Sequence, residues 1–207
     1  VKPATFEWLD SLRGDERHLE MSEAGMGRLV RYAQWLAEEA VPAGLLSPAE
    51  GSRLWDRHVE DSLSFLAGWP GAAPERLLDV GSGAGLPGIP LAIALPSTEV
   101  TLLDRSEKRV HFLRRAVRIL GLMNASVLLG EAKDQSGWEA LTMRAVRPPR
   151  TAVPTASRLL RDGGTGVIGL ARRRDADPSW RNLGHEILRV PVLDPAGWLL
   201  IIRKRGR

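Results

Sequence analysis

The 207-residue chain has no cysteine, a single tyrosine and three phenylalanines. Without a thiol there is no cysteine nucleophile, no thiolate zinc site and no cysteine-held iron–sulfur cluster. The redox compartment is left unmarked, and any chemistry runs on oxygen and nitrogen groups. No apolar run approaches the roughly 20 residues of a membrane span. The opening Val1-Lys2-Pro3-Ala4-Thr5-Phe6-Glu7 holds no signal-peptide core, so the sequence reads as cytoplasmic, with no membrane partner. A strong net charge is also missing, since 29 Lys+Arg against 25 Asp+Glu leave only +4. What remains, 43% hydrophobic and 26% charged residues, is the composition of an ordinary globular unit long enough to bury a core.

The cations are clustered. Arg105, Lys108, Arg109, Arg114, Arg115 and Arg118 crowd one segment, Arg144, Arg147 and Arg150 a second, and Arg172-Arg173-Arg174 and Arg203-Lys204-Arg205-Gly206-Arg207 two more. Such clusters suit a polyanion, and equally suit solvated helix faces and a basic tail.

Residues 1–70 read as a helical extension. Met26, Leu29, Val30, Ala33, Leu36 and Ala37 repeat at helical spacing along Met26–Glu39, with Pro42 and Gly44 closing the helix. Ser47-Pro48-Ala49-Glu50 is a capping signal for a second helix that carries Trp55, Val59, Ser62, Leu63 and Leu66 inward. From residue 71 to 207, short apolar runs alternate with amphipathic stretches, the rhythm of a parallel, doubly wound α/β sheet. Strands are expected at Arg76–Val80, Glu99–Leu103, Ser126–Leu129, Ala140–Met143, Gly166–Leu170, Ile187–Pro191 and Trp198–Arg203, and a helix at Ser106–Leu120. Only Val192–Gly197 separates the last two strands, which is hairpin spacing, so the sheet should end antiparallel.

The first strand runs into Gly81-Ser82-Gly83-Ala84-Gly85-Leu86-Pro87-Gly88 and then a helix. Gly83, Gly85 and Gly88 satisfy the loose dinucleotide pattern, and Asp104 ends the next strand at the matching distance. Asp79 argues for a different cofactor. A carboxylate at the mouth of the first strand repels a pyrophosphate but tolerates the ammonium and sulfonium of S-adenosylmethionine. Asp104 can accept from both ribose hydroxyls. The plain alternative is that Asp79 caps a turn and Asp104 caps the following helix. No metal ligand set is assigned.

Asp79-Val80-Gly81-Ser82-Gly83-Ala84-Gly85-Leu86-Pro87-Gly88-Ile89-Pro90-Leu91 and Leu102-Leu103-Asp104-Arg105-Ser106-Glu107-Lys108-Arg109-Val110-His111-Phe112-Leu113 resemble the bacterial 16S ribosomal RNA guanine-N7 methyltransferases, also called the glucose-inhibited division protein B family. Arg57-His58-Val59-Glu60-Asp61-Ser62-Leu63 resembles that family's arginine-histidine, aspartate-serine helix. The resemblance implies a class I, Rossmann-like, S-adenosylmethionine-dependent fold: a mostly parallel seven-stranded sheet with an antiparallel final strand, behind the helical extension. It implies 16S RNA or the small ribosomal subunit as partner, and a monomer. It places Asp79, Gly81, Gly83, Gly85, Leu86, Asp104, Ala132 and Arg144 around the cofactor, with Arg144 also catalytic, and Arg57, His58, Asp61 and Arg147 on the substrate or supporting side. Where the family has arginine, a small residue and glutamate, this chain has Glu131, Ala132 and Lys133. Ala132 can still offer its backbone N–H to the adenine edge, and Asp134 can replace the displaced acid. The family's lysine-glycine after the fifth strand is replaced by Gly169-Leu170-Ala171-Arg172.

The residues narrow the reaction further. Cytosine carbon-5 methylation needs a cysteine. Exocyclic amine methylation calls for an amide and a stacking ring around the prolines where this chain has Arg147-Pro148-Pro149-Arg150. Guanine N7 carries a lone pair and no proton, so alignment and water exclusion suffice. Arg144 can pair with guanine O6 or a phosphate, or else form a structural ion pair with Glu139 or Asp61. His58 and Asp61, three apart on a helix, either support the pocket or serve as cap and packed histidine. Trp138 is the tryptophan expected nearest the adenine. Two other classes stay open: a small-molecule methyltransferase, and a protein that binds cofactor or RNA without turnover.

Overall fold

Leu77 and Leu78 sit side by side in the first strand, yet they point into two different cores, because successive side chains alternate across a strand. The computed structural model describes residues 21–69, 72–145, 148–191, 193 and 195–206. Its strands are β1 (Arg76–Val80), β2 (Glu99–Asp104), β3 (Ala125–Leu129), β4 (Trp138–Arg144), β5 (Leu160–Gly169), β6 (Glu186–Val190) and β7 (Gly197–Arg203). They form one seven-stranded sheet in the order β3-β2-β1-β4-β5-β7-β6. The first five strands pair in parallel, and β7 runs antiparallel to both β5 and β6.

The helices are α1 (Glu23–Trp35), α2 (Gly88–Ala94), α3 (Glu107–Leu120) and α4 (Pro149–Leu159). One core lies between Leu77, Val100, Leu102, Ala140 and Val167 of the sheet and the buried faces of α1, α2 and α3. The other lies between Leu78, Val80, Leu103, Leu141 and Met143 and the Ala152, Ala156 and Leu159 face of α4. Both faces are covered, which is why β1 reads as an almost unbroken apolar run. The α3 boundaries follow from local chemistry: Glu107 sits in the first turn, and Gly121 ends the helix at φ +62°, a left-handed cap that favours glycine.

Several boundaries differ from expectation. The helix of residues 26–39 begins at Glu23, where Ser22 Oγ accepts from the Gly25 N–H, and passes into a π-helical turn at Leu36–Ala40. Its buried face runs through Met26, Leu29, Tyr32 and Leu36, whereas Val30 is 42% exposed; the large ring of Tyr32 claims the inward position. Ser47 does cap the following segment, but that segment is a 3-10 stretch, Pro48–Arg53, followed by a π turn, Trp55–Glu60, an α turn, Asp61–Leu63, and a second 3-10 stretch, Ser64–Gly68. β4 starts at Trp138, two residues earlier than expected, and β5 starts at Leu160, six residues earlier. The part of the expected helical extension before residue 21, and Val192 and Asp194 of the final connection, lie outside the described residues.

Candidate functional site

Going outward from β1, the strand order steps to β2 on one side and to β4 on the other. This is the switch point at which open α/β sheets bind ligands beyond their carboxyl ends. A cavity of about 510 Å³ opens there, between the ends of β1, β2 and β4 and the 3-10 turn Ala132–Asp134. Its size falls within the roughly 300–1,000 Å³ of small-ligand sites.

Three of the expected cofactor residues line this cavity: Gly81, Asp104 and Ala132. Gly81 has φ +70°, and its N–H is held by Leu103 O at 2.8 Å. Asp104 is 2% exposed. Its Oδ2 accepts from the Gly83 N–H and its Oδ1 from the Ser106 N–H, each at 2.9 Å. It therefore ties the glycine loop to the start of α3. A carboxylate has about four acceptor positions, so capacity remains for a ligand's hydroxyls. Gly83 has φ +60°, and a Cβ built on it would meet only Gly81 O, at 3.8 Å. The loop thus presents bare backbone to open space there, as an approaching ligand needs.

Three others sit elsewhere. Asp79 does not line the cavity; it is fully buried, with Oδ2 accepting from the Gly88 N–H at 3.1 Å and Oδ1 from the Thr142 hydroxyl at 2.8 Å. Burial pushes its carboxyl above the usual range. It holds the loop onto β4, the turn-capping alternative. Gly85 is a packing glycine, since a Cβ there would lie 2.4 Å from Ile89 Cδ1 and 3.0 Å from the Tyr32 hydroxyl. Leu86 is 5% exposed within the core shared with α1 and α3.

Arg144 ends β4 next to Met143, and the two side chains leave on opposite faces of the strand. Met143 lines the cavity and Arg144 does not. Its guanidinium reaches the π turn instead, with Nη1 3.1 Å from Asp61 Oδ2 and Nη2 2.9 Å from His58 Nδ1. Glu139 is not its partner; that carboxylate accepts from the Glu75 and Arg76 N–H groups. Arg172 joins the same group, with Nη2 3.4 Å from Asp61 Oδ1 and 3.3 Å from the Arg57 carbonyl. A guanidinium only donates, so His58 Nδ1 accepts and Nε2 carries the proton, facing Glu50 Oε2 at 3.5 Å. Burial first, and then the Arg144 charge, lower the His58 pKa to about 4, which keeps the ring neutral. Arg57, His58, Asp61 and Arg144 are therefore brought together. Arg147 lies outside the described residues.

Trp138 is a clear correction. It opens β4, packs in the α4 core at 7% exposure, and has the Arg76 guanidinium 4.9 Å from its ring centroid. It is thus at the amino end of the strand, away from the cavity. Conversely, Arg105 and Arg109 line the cavity, and Arg109 Nη1 lies 3.7 Å from Asp104 Oδ2. Sequence reading treats them only as surface cations, although Arg109 follows Asp104 by little more than one helical turn. Tyr32 was also unforeseen. Its hydroxyl donates to Ala84 O at 2.8 Å and pins α1 to the glycine loop. The signal available was one tyrosine in the whole chain, placed in step with Leu29 and Leu36.

Comparison with known proteins gives the chain's family and its fold. The family model described as rRNA small subunit methyltransferase G matches residues 26–174. The chain is similar to the ribosomal RNA small subunit methyltransferase G of Acidothermus cellulolyticus, 40% identical over 137 residues, covering 66% of this chain and 61% of that protein. It is similar to the protein of the same description from Mycobacterium marinum, 47% identical over 122 residues, covering 56% and 52%. The chain thus spans between half and two thirds of the length of these relatives. Among solved structures, a methyltransferase from Geobacter sulfurreducens superposes with a TM-score of 0.58 at 18% identity, covering 83% of this chain and 88% of that one; the two share the fold.

Proposed function

The chain belongs to the rRNA small subunit methyltransferase G family, and on that premise we propose that it transfers a methyl group from S-adenosylmethionine to N7 of a guanine in 16S ribosomal RNA. The substrate is the RNA or the small subunit, which implies a cytoplasmic enzyme. What supports the reading above all is the placement of Asp104: a buried carboxylate in a cavity wall at the switch point, beside the bare backbone of Gly81 and Gly83.

S-adenosylmethionine, when bound, supplies an electrophilic methyl group on a sulfonium. Asp104 accepts from the ribose hydroxyls with its remaining lone pairs. Gly81 and Gly83 leave room for the rest of the cofactor, and the Ala132 backbone faces the adenine. Because guanine N7 has no proton to lose, no general base is required, and the protein has to align the base and exclude water. Arg144 takes the acceptor side. Two of its five N–H donors are used by Asp61 and His58, and a further donor can orient guanine O6 or a phosphate. Neutral His58 keeps a second cation from forming beside it. Exposed cations near the end of β4, Arg150 among them, contribute phosphate contacts that weaken as salt rises.

Calorimetry with S-adenosylmethionine and with 16S RNA tests the reading. Binding of both, with turnover, supports it. Cofactor binding without RNA binding indicates a small-molecule enzyme, and binding without turnover indicates a protein that has lost catalysis.

A further inference from the structure

One side chain outside the cavity is hydrogen-bonded to three carbonyls along one of its walls. The turn Ala132–Asp134 buries no residue of its own and is closed by two backbone hydrogen bonds, Asp134 N–H to Glu131 O at 3.1 Å and Gln135 N–H to Ala132 O at 3.2 Å. Gly130 precedes it, and Gly137, at φ +73°, follows it. Such a segment has little internal stiffness, although Glu131, Ala132 and Lys133 all line the cavity. The missing rigidity comes from α4. Arg158 Nη2 donates to Ala132 O at 2.7 Å, and Nη1 donates to Gln135 O at 3.0 Å and to Lys133 O at 3.3 Å. The helix that carries Arg158 is itself anchored by Ala152, Ala156 and Leu159 in the core beneath β4.

We propose that Arg158 is a positioning residue for the cofactor, holding the Ala132–Asp134 turn in the form that receives the adenine. The proposal rests on the reading of the cavity as an S-adenosylmethionine site. A planar fork of five donors can serve three carbonyls at once, whereas an ammonium is a single point charge on a flexible stem. With Ala132 O turned toward α4, planarity of the trans peptide turns the Lys133 N–H the other way. Arg158 thereby sets the direction of the peptide dipoles in the wall. This assigns a purpose to an arginine that no sequence motif singles out, and it explains how a wall whose acid and base have changed places relative to the family pattern keeps a defined shape.

The test uses the full chain with Arg158→Met and Arg158→Lys, measuring S-adenosylmethionine binding by calorimetry, KM and kcat for RNA methylation, and thermal melting. Both variants should raise Kd and KM for the cofactor by about five- to tenfold, the scale of losing one or two net hydrogen bonds that order a loop. The rate at saturating cofactor should stay within about a factor of two of wild type, and Tm should move little. Lysine should not rescue fully, because its compact ammonium does not reproduce the planar fork that spans the three carbonyls. If Arg158→Met, or Arg158→Lys should the first fail to fold, binds the cofactor as tightly as wild type, the assignment is wrong. It is also wrong if the loss falls on kcat with KM unchanged. Failure of the wild-type protein to bind S-adenosylmethionine overturns the reading of the cavity, and the role of Arg158 with it.

Discussion

Arg144 and Arg172 are bound to the two oxygens of one carboxylate: Asp61 Oδ2 lies 3.1 Å from Arg144 and Oδ1 lies 3.4 Å from Arg172. Their side chains are 17% and 12% exposed, so neither is a free surface cation. In the sequence Arg172 belongs to a basic cluster that suits a polyanion. In the structure it is part of the support that holds Arg144 in place.

Asp61→Ala should therefore strand two mostly buried cations. A loss of about 2–4 kcal/mol is expected, somewhat under the range for breaking a fully buried pair, and chemical denaturation measures it. Arg172→Ala should slow methyl transfer even at saturating RNA, whereas a mere phosphate contact would change only the RNA concentration needed. An unchanged saturated rate would return Arg172 to the surface role.

Arg144→Ala, in a folded protein, should lower the saturated rate, because its loss falls on the transition state. Arg144→Lys should recover little, since a point-charge ammonium on a flexible stem does not reproduce the planar fork that meets His58 and Asp61 in a fixed geometry. A wild-type saturated rate in Arg144→Ala would remove it from the active site and leave it as a strut.

His58 should make stability fall in mild acid. Its folded pKa of about 4 lies below the value near 6.5 of an unfolded histidine, so between these values the unfolded chain binds the proton and the folded chain does not. Its contribution is fully present above about pH 6.5 and is lost as pH falls toward 4, by at most about 3 kcal/mol. Comparison with His58→Gln, which lacks the titration, isolates the effect. Equal pH dependence in the two proteins would contradict it.

The two aspartates should separate cleanly. Asp104→Ala should weaken S-adenosylmethionine binding by about 1–3 kcal/mol, measured by calorimetry. Asp79→Ala removes the acceptor for Gly88 and Thr142 and should destabilise the fold by roughly 2–3 kcal/mol, whereas Asp79→Asn keeps an acceptor for Gly88 and should cost less. A stable Asp79→Ala protein with normal melting would contradict the role as a loop anchor.

The strands were legible where both faces are buried: Arg76–Val80 matches β1 residue for residue, because a run of leucine and valine before a glycine loop has few other solutions. Helix α3 was readable for a similar reason, since serine, glutamate and a left-handed glycine mark its ends. Position along a strand was harder. Trp138 reads as the tryptophan nearest the adenine because the bulged register between Trp138 and Ala140 hides the start of β4. Asp79 and Asp104 are both buried carboxylates at strand ends, and only their three-dimensional surroundings distinguish the anchor bonded to Gly88 and Thr142 from the residue in the cavity wall. The pairings of Asp61 with Arg144 and Arg172 span 83 and 111 positions, and that of Arg158 with Ala132 spans 26. No local periodicity records such contacts, so arginines that look alike in sequence differ in what they hold: Arg144 and Arg172 share Asp61, and Arg158 serves the Ala132–Asp134 turn.

The most direct measurement is transfer of labelled methyl from S-adenosylmethionine to small ribosomal subunits, and to naked 16S RNA, from cells lacking the modification, followed by identification of the labelled nucleoside and its position. The expected result is 7-methylguanosine at a single site in 16S RNA, with incorporation lost in Arg144→Ala and restored toward wild type at high cofactor concentration in Asp104→Ala. Label on another atom or another base, or no transfer to either substrate by a folded protein that binds S-adenosylmethionine, would contradict guanine-N7 methylation.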